Sequence, residues 1–266
     1  WLWSISNKYI MKIKQFTKYL NNIIPEPPYA TIILGSGLGS LPSIMNDKIT
    51  IPYSSIPDFP LPSTLGHKGE WIFGYINNKP ILCANGRFHY YEGFTLNKVA
   101  LPITISKSLN TQIIIITNSA GCLNKNWDLG DIMYINGYID YTFLNNNQIP
   151  INVPIKINPS KYHTMKKAAS NLKINLREGI YTWTLGPTYE TAAEIEDIIK
   201  LHGSAVGMST VPEIKKAIEL DIEIMCFSCL TNYGAGLHPE KLTHQSVLEI
   251  SNKTNKQFSK FIQEII

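Results

Sequence analysis

Arginine is scarce in this chain: Arg87 and Arg177 are the only two among its 24 basic residues, and the net charge of +4 comes from scattered lysines. Without a basic cluster there is no dedicated nucleic-acid surface. No apolar run approaches the roughly 18 residues of a membrane-spanning helix. With 44% hydrophobic and 17% charged residues, the composition is that of an ordinary soluble globular protein. Cysteine is sparse too, since Cys83, Cys122, Cys226 and Cys229 are too few for the disulfide framework of a small secreted fold. Cys226 and Cys229 have redox-motif spacing, but the apolar run 222–230 reads as a strand. Residues three apart on a strand point to opposite faces, so inert core thiols are expected. Signal-peptide organisation is absent. Residues 1–10 read as an extension upstream of Met11, residues 11–266 as one domain with no dividing linker, and the expected location is the cytoplasm.

What is present is organised around residues 181–213. Two short apolar runs, 180–185 and 204–208, have strand length. Each is followed by Thr-x-x-Glu, at Thr191/Glu194 and at Thr210/Glu213, which predicts two helices opened by capping boxes, the second with Pro212 in its first turn. Strand, turn, helix, twice over, is an α/β pattern. In such folds ligands sit where strands end and helices begin, because free N–H groups gather there and favour negative charge. Glu190 and Ser209 stand just before the two expected caps.

Further strands are predicted at 30–34, 71–76, 80–84, 112–116, 131–136 and 222–230. Helices are predicted around 10–23, over 96–109 despite Pro102, after a cap at Ser160, and from about Thr243 onward. Residues 141–159 read as an Asn- and Pro-rich loop. Strand-end segments then supply the polar residues. Gly35 to Ser40 is a Gly-rich turn with neither the dinucleotide spacing nor a P-loop lysine. The segment 86–93 places Arg87, His89 and Tyr91 together, and 117–121 reads as a loop of small residues able to turn backbone N–H groups toward a ligand. An arginine retained in a chain that otherwise uses lysine suits bidentate grip on phosphate or carboxylate. Ser36, His67, Arg87, His89, Ser119 and Ser209 together form a set fitted to an oxyanion. Glu190 and Asn232 offer a carboxylate and an amide, which suit the edge of a heterocycle. The six histidines are scattered without ligand spacing, so neither a metal nor an organic cofactor is expected.

Taken in order, ILGSGLG, GHKGEWIFG, GRFHYYEG, TNSAG, GPTYET, AVGMSTVPE, SCLTN and THQSVLE resemble the signature segments of the trimeric purine nucleoside phosphorylases. The resemblance runs from about Thr31 to the last helix. It implies a single α/β domain with a mixed central sheet flanked by helices. The implied activity is phosphorolysis of 6-oxopurine ribo- and deoxyribonucleosides such as inosine and guanosine in purine salvage, with phosphate as co-substrate and a homotrimeric assembly. By the same resemblance Ser36, His67, Arg87, His89, Ser119 and Ser209 would hold phosphate. Tyr91, Met208 and His244 would hold ribose; Tyr189, Glu190, Val206, Gly207 and Asn232 would hold the base; and His89, Glu190 and Asn232 would be catalytic. The chain departs from the family pattern at 137–140, which reads GYID where relatives carry Asp-His-Ile-Asn. The following loop is shortened, and Cys122 stands where Gly is usual. Two alternatives remain at this point: a methylthioadenosine phosphorylase, which Asn232 argues against because that relative has Asp nearby, and a non-catalytic nucleoside-binding homologue.

Overall fold

The computed structural model describes residues 2–36, 38–64, 66–144, 149–238 and 244–266, the side chains of 2–8, 244–249 and 251–253 excepted. Helix α1 (Leu2–Asn21) leads into β1 (Ala30–Ile33), a meander of β2 (Asn46–Pro52), β3 (Glu70–Ile76) and β4 (Lys79–Asn85), and the short helices α2 (Leu96–Val99) and α3 (Leu101–Ser108). There follow β5 (Ile113–Cys122), β6 (Ile132–Asp140), β7 (Asn152–Pro154), α4 (Pro159–Asn171) and β8 (Leu176–Trp183). The chain continues with α5 (Ala192–Lys200), β9 (Ala205–Gly207), α6 (Val211–Glu219), β10 (Glu223–Tyr233) and α7 (His244–Ile265).

One mixed sheet collects the strands in the order β10-β6-β8-β9-β5-β1-β4-β3-β2, with β7 on β6 and a further pairing of β10 with β5. That last pairing closes β10, β6, β8, β9 and β5 into a ring, from which β1, β4, β3 and β2 extend as an open sheet. Strand β5 is the junction. One of its edges runs along β10 for nearly its whole length. The other pairs β1 at residues 113–116 and β9 at 121–122, so between them the edge at 117–120 has no strand partner among the described residues.

The two-residue period of a strand sorts the core into two layers. Ile114, Ile116 and Cys226 pack on one face beneath α1, α3 and α6, while Ile113, Ile115 and Cys229 pack on the other beneath α4 and α7. Cys226 and Cys229 therefore lie on opposite faces as expected, and all four cysteines are buried and free. No described helix is long and apolar enough to cross a membrane.

Several local expectations are corrected. The helix expected over 96–109 is two, parted at Ala100, because Pro102 has no N–H and its ring excludes a preceding carbonyl. Helix α4 is capped by Asn158, whose Oδ1 accepts from Ser160 N at 3.0 Å. Pro159 fits the first helical position, which moves the cap one residue upstream of it and away from Ser160. The loop expected at 141–159 contains β7, paired on β6. The small-residue segment 117–121 is strand, held by β10 along its other edge, and β8 ends at Trp183 rather than at 185.

Candidate active site

The carboxyl ends of β1, β4, β5, β8 and β10 open on a single cleft, where ligands of α/β proteins sit. Its lining includes Ser36, Arg87, His89, Tyr91, Ser119, Tyr189, Glu190, Val206, Gly207, Met208, Ser209 and Asn232, and it measures about 850 Å³ counted to its open mouth.

At one end the residues gather that suit an oxyanion. Gly35 follows β1 and lies against β5, where a Cβ would stand 2.5 Å from Asn118 Cα. This close approach lets Ser36 reach Ser119, whose Oγ donates to Ser36 O at 2.7 Å. Arg87 comes from the turn after β4 and is 2% exposed. Its Nη1 donates to Thr117 O at 2.7 Å and to Ser209 Oγ at 3.3 Å. Its Nε donates to Glu213 Oε1 at 3.1 Å, and Nη2 lies 3.1 Å from Glu213 Oε2. The fork expected to face an anion is thus turned largely onto a carboxylate of the protein, with both Nη1 donors taken by Thr117 and Ser209, while Arg87 and Ser209 together still line the cleft.

Glu213 was expected to close a capping box with Thr210, and this does not occur. Thr210 makes no side-chain cap and adopts φ 74, ψ −50. The N–H of Val211 donates to Ser209 O at 2.8 Å, a γ-turn of the rare positive-φ form. Asn118 Nδ2 holds Thr210 Oγ1 at 2.9 Å, and the Glu213 side chain turns to Arg87 instead. The other expected box is present: Thr191 Oγ1 accepts from Glu194 N, and the Glu194 carboxylate accepts from Thr191 N at 2.7 Å.

The two imidazoles lie side by side, ring centroids 5.3 Å apart. Burial first, then His89 and Arg87, push the pKa of His67 down to about 3, so its ring is neutral. Its Nδ1 accepts from Arg87 N at 3.3 Å. The proton therefore resides on Nε2, which lies 3.4 Å from Ser36 Oγ. His89 Nδ1 lies 3.1 Å from Glu92 Oε1, which also accepts from His89 N at 2.7 Å. Burial opposes the charge on Glu92, but hydrogen bonds from His89 and Ser63 outweigh it and hold the carboxyl at about 2. An ionised Glu92 fixes the His89 proton on Nδ1 and leaves Nε2 as its second polar atom. Tyr91 stacks on His89 at 4.8 Å and 17°, and its hydroxyl meets Thr64 Oγ1 at 3.2 Å.

The other end holds the carboxylate and the amide. Glu190 precedes α5, and Thr184 Oγ1 donates to its Oε1 at 2.6 Å. Burial raises its pKa, with the Thr184 hydrogen bond acting against that rise. Asn232 lies past a register shift in β10, directly opposite Gly121. Its Oδ1 accepts from Thr231 Oγ1 at 3.0 Å and its Nδ2 donates to Tyr233 O at 3.2 Å. A flipped amide would set two acceptors face to face at Tyr233, so this orientation is fixed. One N–H and one oxygen lone pair remain for a ligand. Val206 and Gly207 of β9 also line the cleft. Met208 and Tyr91 flank Gly186, whose φ of 69 and crowded surroundings exclude a side chain.

The structure thus brings together all but two of the residues singled out in the sequence. His67 stands behind Ser36 rather than in the lining, and the side chain of His244 lies outside the described residues. Thr64, Asn118 and Thr231 also line the cleft, and Thr184 and Glu213 hold residues that do. Asn118 could have been found beside Ser119 in TNSAG; Thr64 and Thr231 carry no distinctive signal.

Residues 29–266 match the profile of the Phosphorylase superfamily. The chain is 36% identical over 263 residues to purine nucleoside phosphorylase 1 of Geobacillus stearothermophilus, covering 96% of each chain. It is 32% identical to the purine nucleoside phosphorylase of Bos taurus, covering 97% of this chain and 95% of that one. Among solved structures it is similar to Schistosoma mansoni purine nucleoside phosphorylase in complex with inosine, at a TM-score of 0.86 and 30% identity over 96% of this chain and 95% of that one. With the motifs, the mixed sheet and the cleft agreeing with these similarities, the chain belongs to the Phosphorylase superfamily, among the purine nucleoside phosphorylases.

Proposed function

We propose that the cleft carries out phosphorolysis of purine nucleosides, 6-oxopurines in particular, yielding the free base and ribose 1-phosphate. The observation that carries this reading is the pairing, within one cleft, of an oxyanion end built on Arg87 and Ser209 with a carboxylate and amide end built on Glu190 and Asn232. Phosphate held by Ser36, His67, Arg87, His89, Ser119 and Ser209 attacks the anomeric carbon. The new C–O bond forms as the C–N bond breaks, with inversion, and the bonding electrons leave on the purine. Positive charge grows on the sugar against the phosphate. Negative charge grows on the base, where Glu190 accepts from N1–H, and Asn232 donates to O6 and accepts from N7–H once that nitrogen takes up a proton. Tyr91, Met208 and His244 would seat the ribose, and Tyr189, Val206 and Gly207 the faces of the base.

A 6-aminopurine inverts this edge: its N1 accepts, confronting the Glu190 carboxylate, and its amino group meets a donor. Two unpaired buried groups at roughly 1–3 kcal/mol each disfavour adenosine by about 30-fold or more. Comparing kcat/KM for inosine and adenosine with purified protein tests both activity and selectivity. No release of base from inosine in the presence of phosphate would overturn the activity, and equal use of both nucleosides would overturn the selectivity.

Hydrogen bonds and the co-substrate supply what this chemistry requires, so dialysis against a chelator should leave the rate unchanged. A homotrimer belongs to the same proposal and is supported by the exposed apolar residues Phe143, Leu144, Ile149 and Ile151. Light scattering should give about 90 kDa, three times 30.0 kDa, and an active 30.0 kDa monomer would refute it. Four free, buried thiols fit the reducing cytoplasm, which cell fractionation would check.

A further inference from the structure

Glu213 is fully buried and is not part of the cleft lining. Its carboxylate nevertheless spans Arg87 along one edge, Oε1 to Nε and Oε2 beside Nη2, both at 3.1 Å. The opposite edge of the guanidinium is set by Thr117 O and Ser209 Oγ. Arg87 is therefore fixed in plane as well as in position.

This arrangement departs from what the local sequence favours in two ways at once. Helix α6 forgoes the capping box that Thr210 and Glu213 would make, and Thr210, a β-branched residue, sits at φ 74, where such side chains are strongly disfavoured. A buried ion pair is itself weak as a device for stability, since well-packed apolar residues often serve as well or better. The two departures and the buried ion pair have one common product. The γ-turn at Thr210 sends Ser209 to one side of Arg87 and Glu213 to the other. Local rules broken together, with a single geometric result at a ligand-facing residue, point to function rather than to folding.

We propose that Glu213 is a positioning residue of the oxyanion end: by accepting from Nε and setting Oε2 beside Nη2 it fixes the guanidinium plane of Arg87, so that the guanidinium and the Ser209 hydroxyl beside it meet the incoming phosphate in a set geometry. This rests on the phosphorolysis reading above. An Arg87 held at Nη1 alone would swing about that contact, and phosphate would have to order it on binding.

The test is the Glu213→Gln variant, which keeps the shape and one acceptor but cannot serve both nitrogens. The phosphate KM should rise about fivefold or more, and the phosphate Kd from calorimetry with inorganic phosphate should weaken in parallel. The inosine KM at saturating phosphate should stay within about twofold, an expectation drawn from the loss of one charge-assisted contact at the phosphate end. A purely structural role would lower the folded fraction and the melting temperature while leaving both constants of the surviving enzyme at wild-type values, and that result would overturn the proposal. So would a phosphate KM that falls, as simple removal of a nearby negative charge would give. Because lysine cannot use both carboxylate oxygens, Arg87→Lys combined with Glu213→Gln should be no worse for phosphate than Arg87→Lys alone; additive losses would count against positioning. Should Glu213→Gln not fold, Glu213→Asp keeps the charge and lacks the reach. A folded Glu213→Asp enzyme with the wild-type phosphate constant would refute the proposal. Failure of the phosphorolysis reading is separately visible as a wild type that turns over no purine nucleoside, and in that case the calorimetric Kd still tests Glu213.

Discussion

Replacing Thr184 by Val should expose how Glu190 is kept ionised. The hydroxyl of Thr184 donates to Glu190 Oε1 at 2.6 Å, a short bond to a charged acceptor in a largely enclosed place. Burial raises the pKa of Glu190 and this bond opposes the rise. Because the carboxyl is needed as an acceptor for N1–H, base binding is available above its raised pKa and is lost as the pH falls through it. Valine keeps the branched shape and removes the donor, so that loss moves to higher pH. A hydrogen bond to a charged group contributes about 1.5–3 kcal/mol, so kcat/KM for inosine on the acid limb should fall roughly tenfold or more relative to wild type, with the alkaline plateau preserved. Phosphorolysis of inosine at saturating phosphate, followed as a pH profile of kcat/KM, reads this directly. Superimposable acid limbs would refute the reasoning, as would a loss of equal size at every pH.

Three other expectations come from the same geometry. In Gly35→Ala the new Cβ would stand 2.5 Å from Asn118 Cα and 2.8 Å from Thr117 O, both backbone of the junction strand. The melting temperature should drop by roughly 3–10 °C, the scale of overpacking in a domain of this size; an unchanged melting curve would show that β1 and β5 can part freely. Cys226→Val with Cys229→Ala should keep full activity, and wild-type activity should resist oxidants, because the two thiols sit in separate layers and burial pushes that of Cys229 up to about 11. Oxidant-driven inactivation that the double variant abolishes would show otherwise. Glu92, held at about 2 instead of the ordinary 4.5, contributes stability above the ordinary range that is lost as the pH falls from 4.5 toward about 2. Glu92→Gln should melt lower than wild type at neutral pH and lack that part of the acid decline, and matching melting temperatures at pH 7 would rule this out.

The sequence revealed those parts of the molecule whose signals are local. Strands β1, β3 and β4 are apolar runs bounded by turn residues, Thr191 and Glu194 lie within one turn of each other, and Gly86-Arg87-Phe88-His89 is contiguous. What escaped depends on partners far along the chain. Thr210 and Glu213 carry the same motif as Thr191 and Glu194, yet Arg87, 126 residues away, claims the carboxylate, and no local pattern distinguishes the two cases. Residues 117–121 have the small side chains of a loop. They are strand because β10 supplies a partner on one edge, and they serve the cleft because β1 and β9 leave the other edge open between them. Thr64 and Thr231 are ordinary polar residues until the fold brings them to the same cleft.

The ring of β10, β6, β8, β9 and β5 has a bearing on how the protein is made. Four of its members are already in place along the chain before residue 223, but the circuit stays broken until β10 threads between β5 and β6, antiparallel to one and parallel to the other. Until then one edge of β5 and residues 132–134 of β6 lack their partner, and Asn232 has no place in the cleft. Asn232 therefore enters the cleft only with the last strand in chain order. A chain synthesised only as far as residue 222 already carries Arg87, His89, Glu190 and Ser209, but it lacks the amide that Asn232 brings to the base end of the cleft.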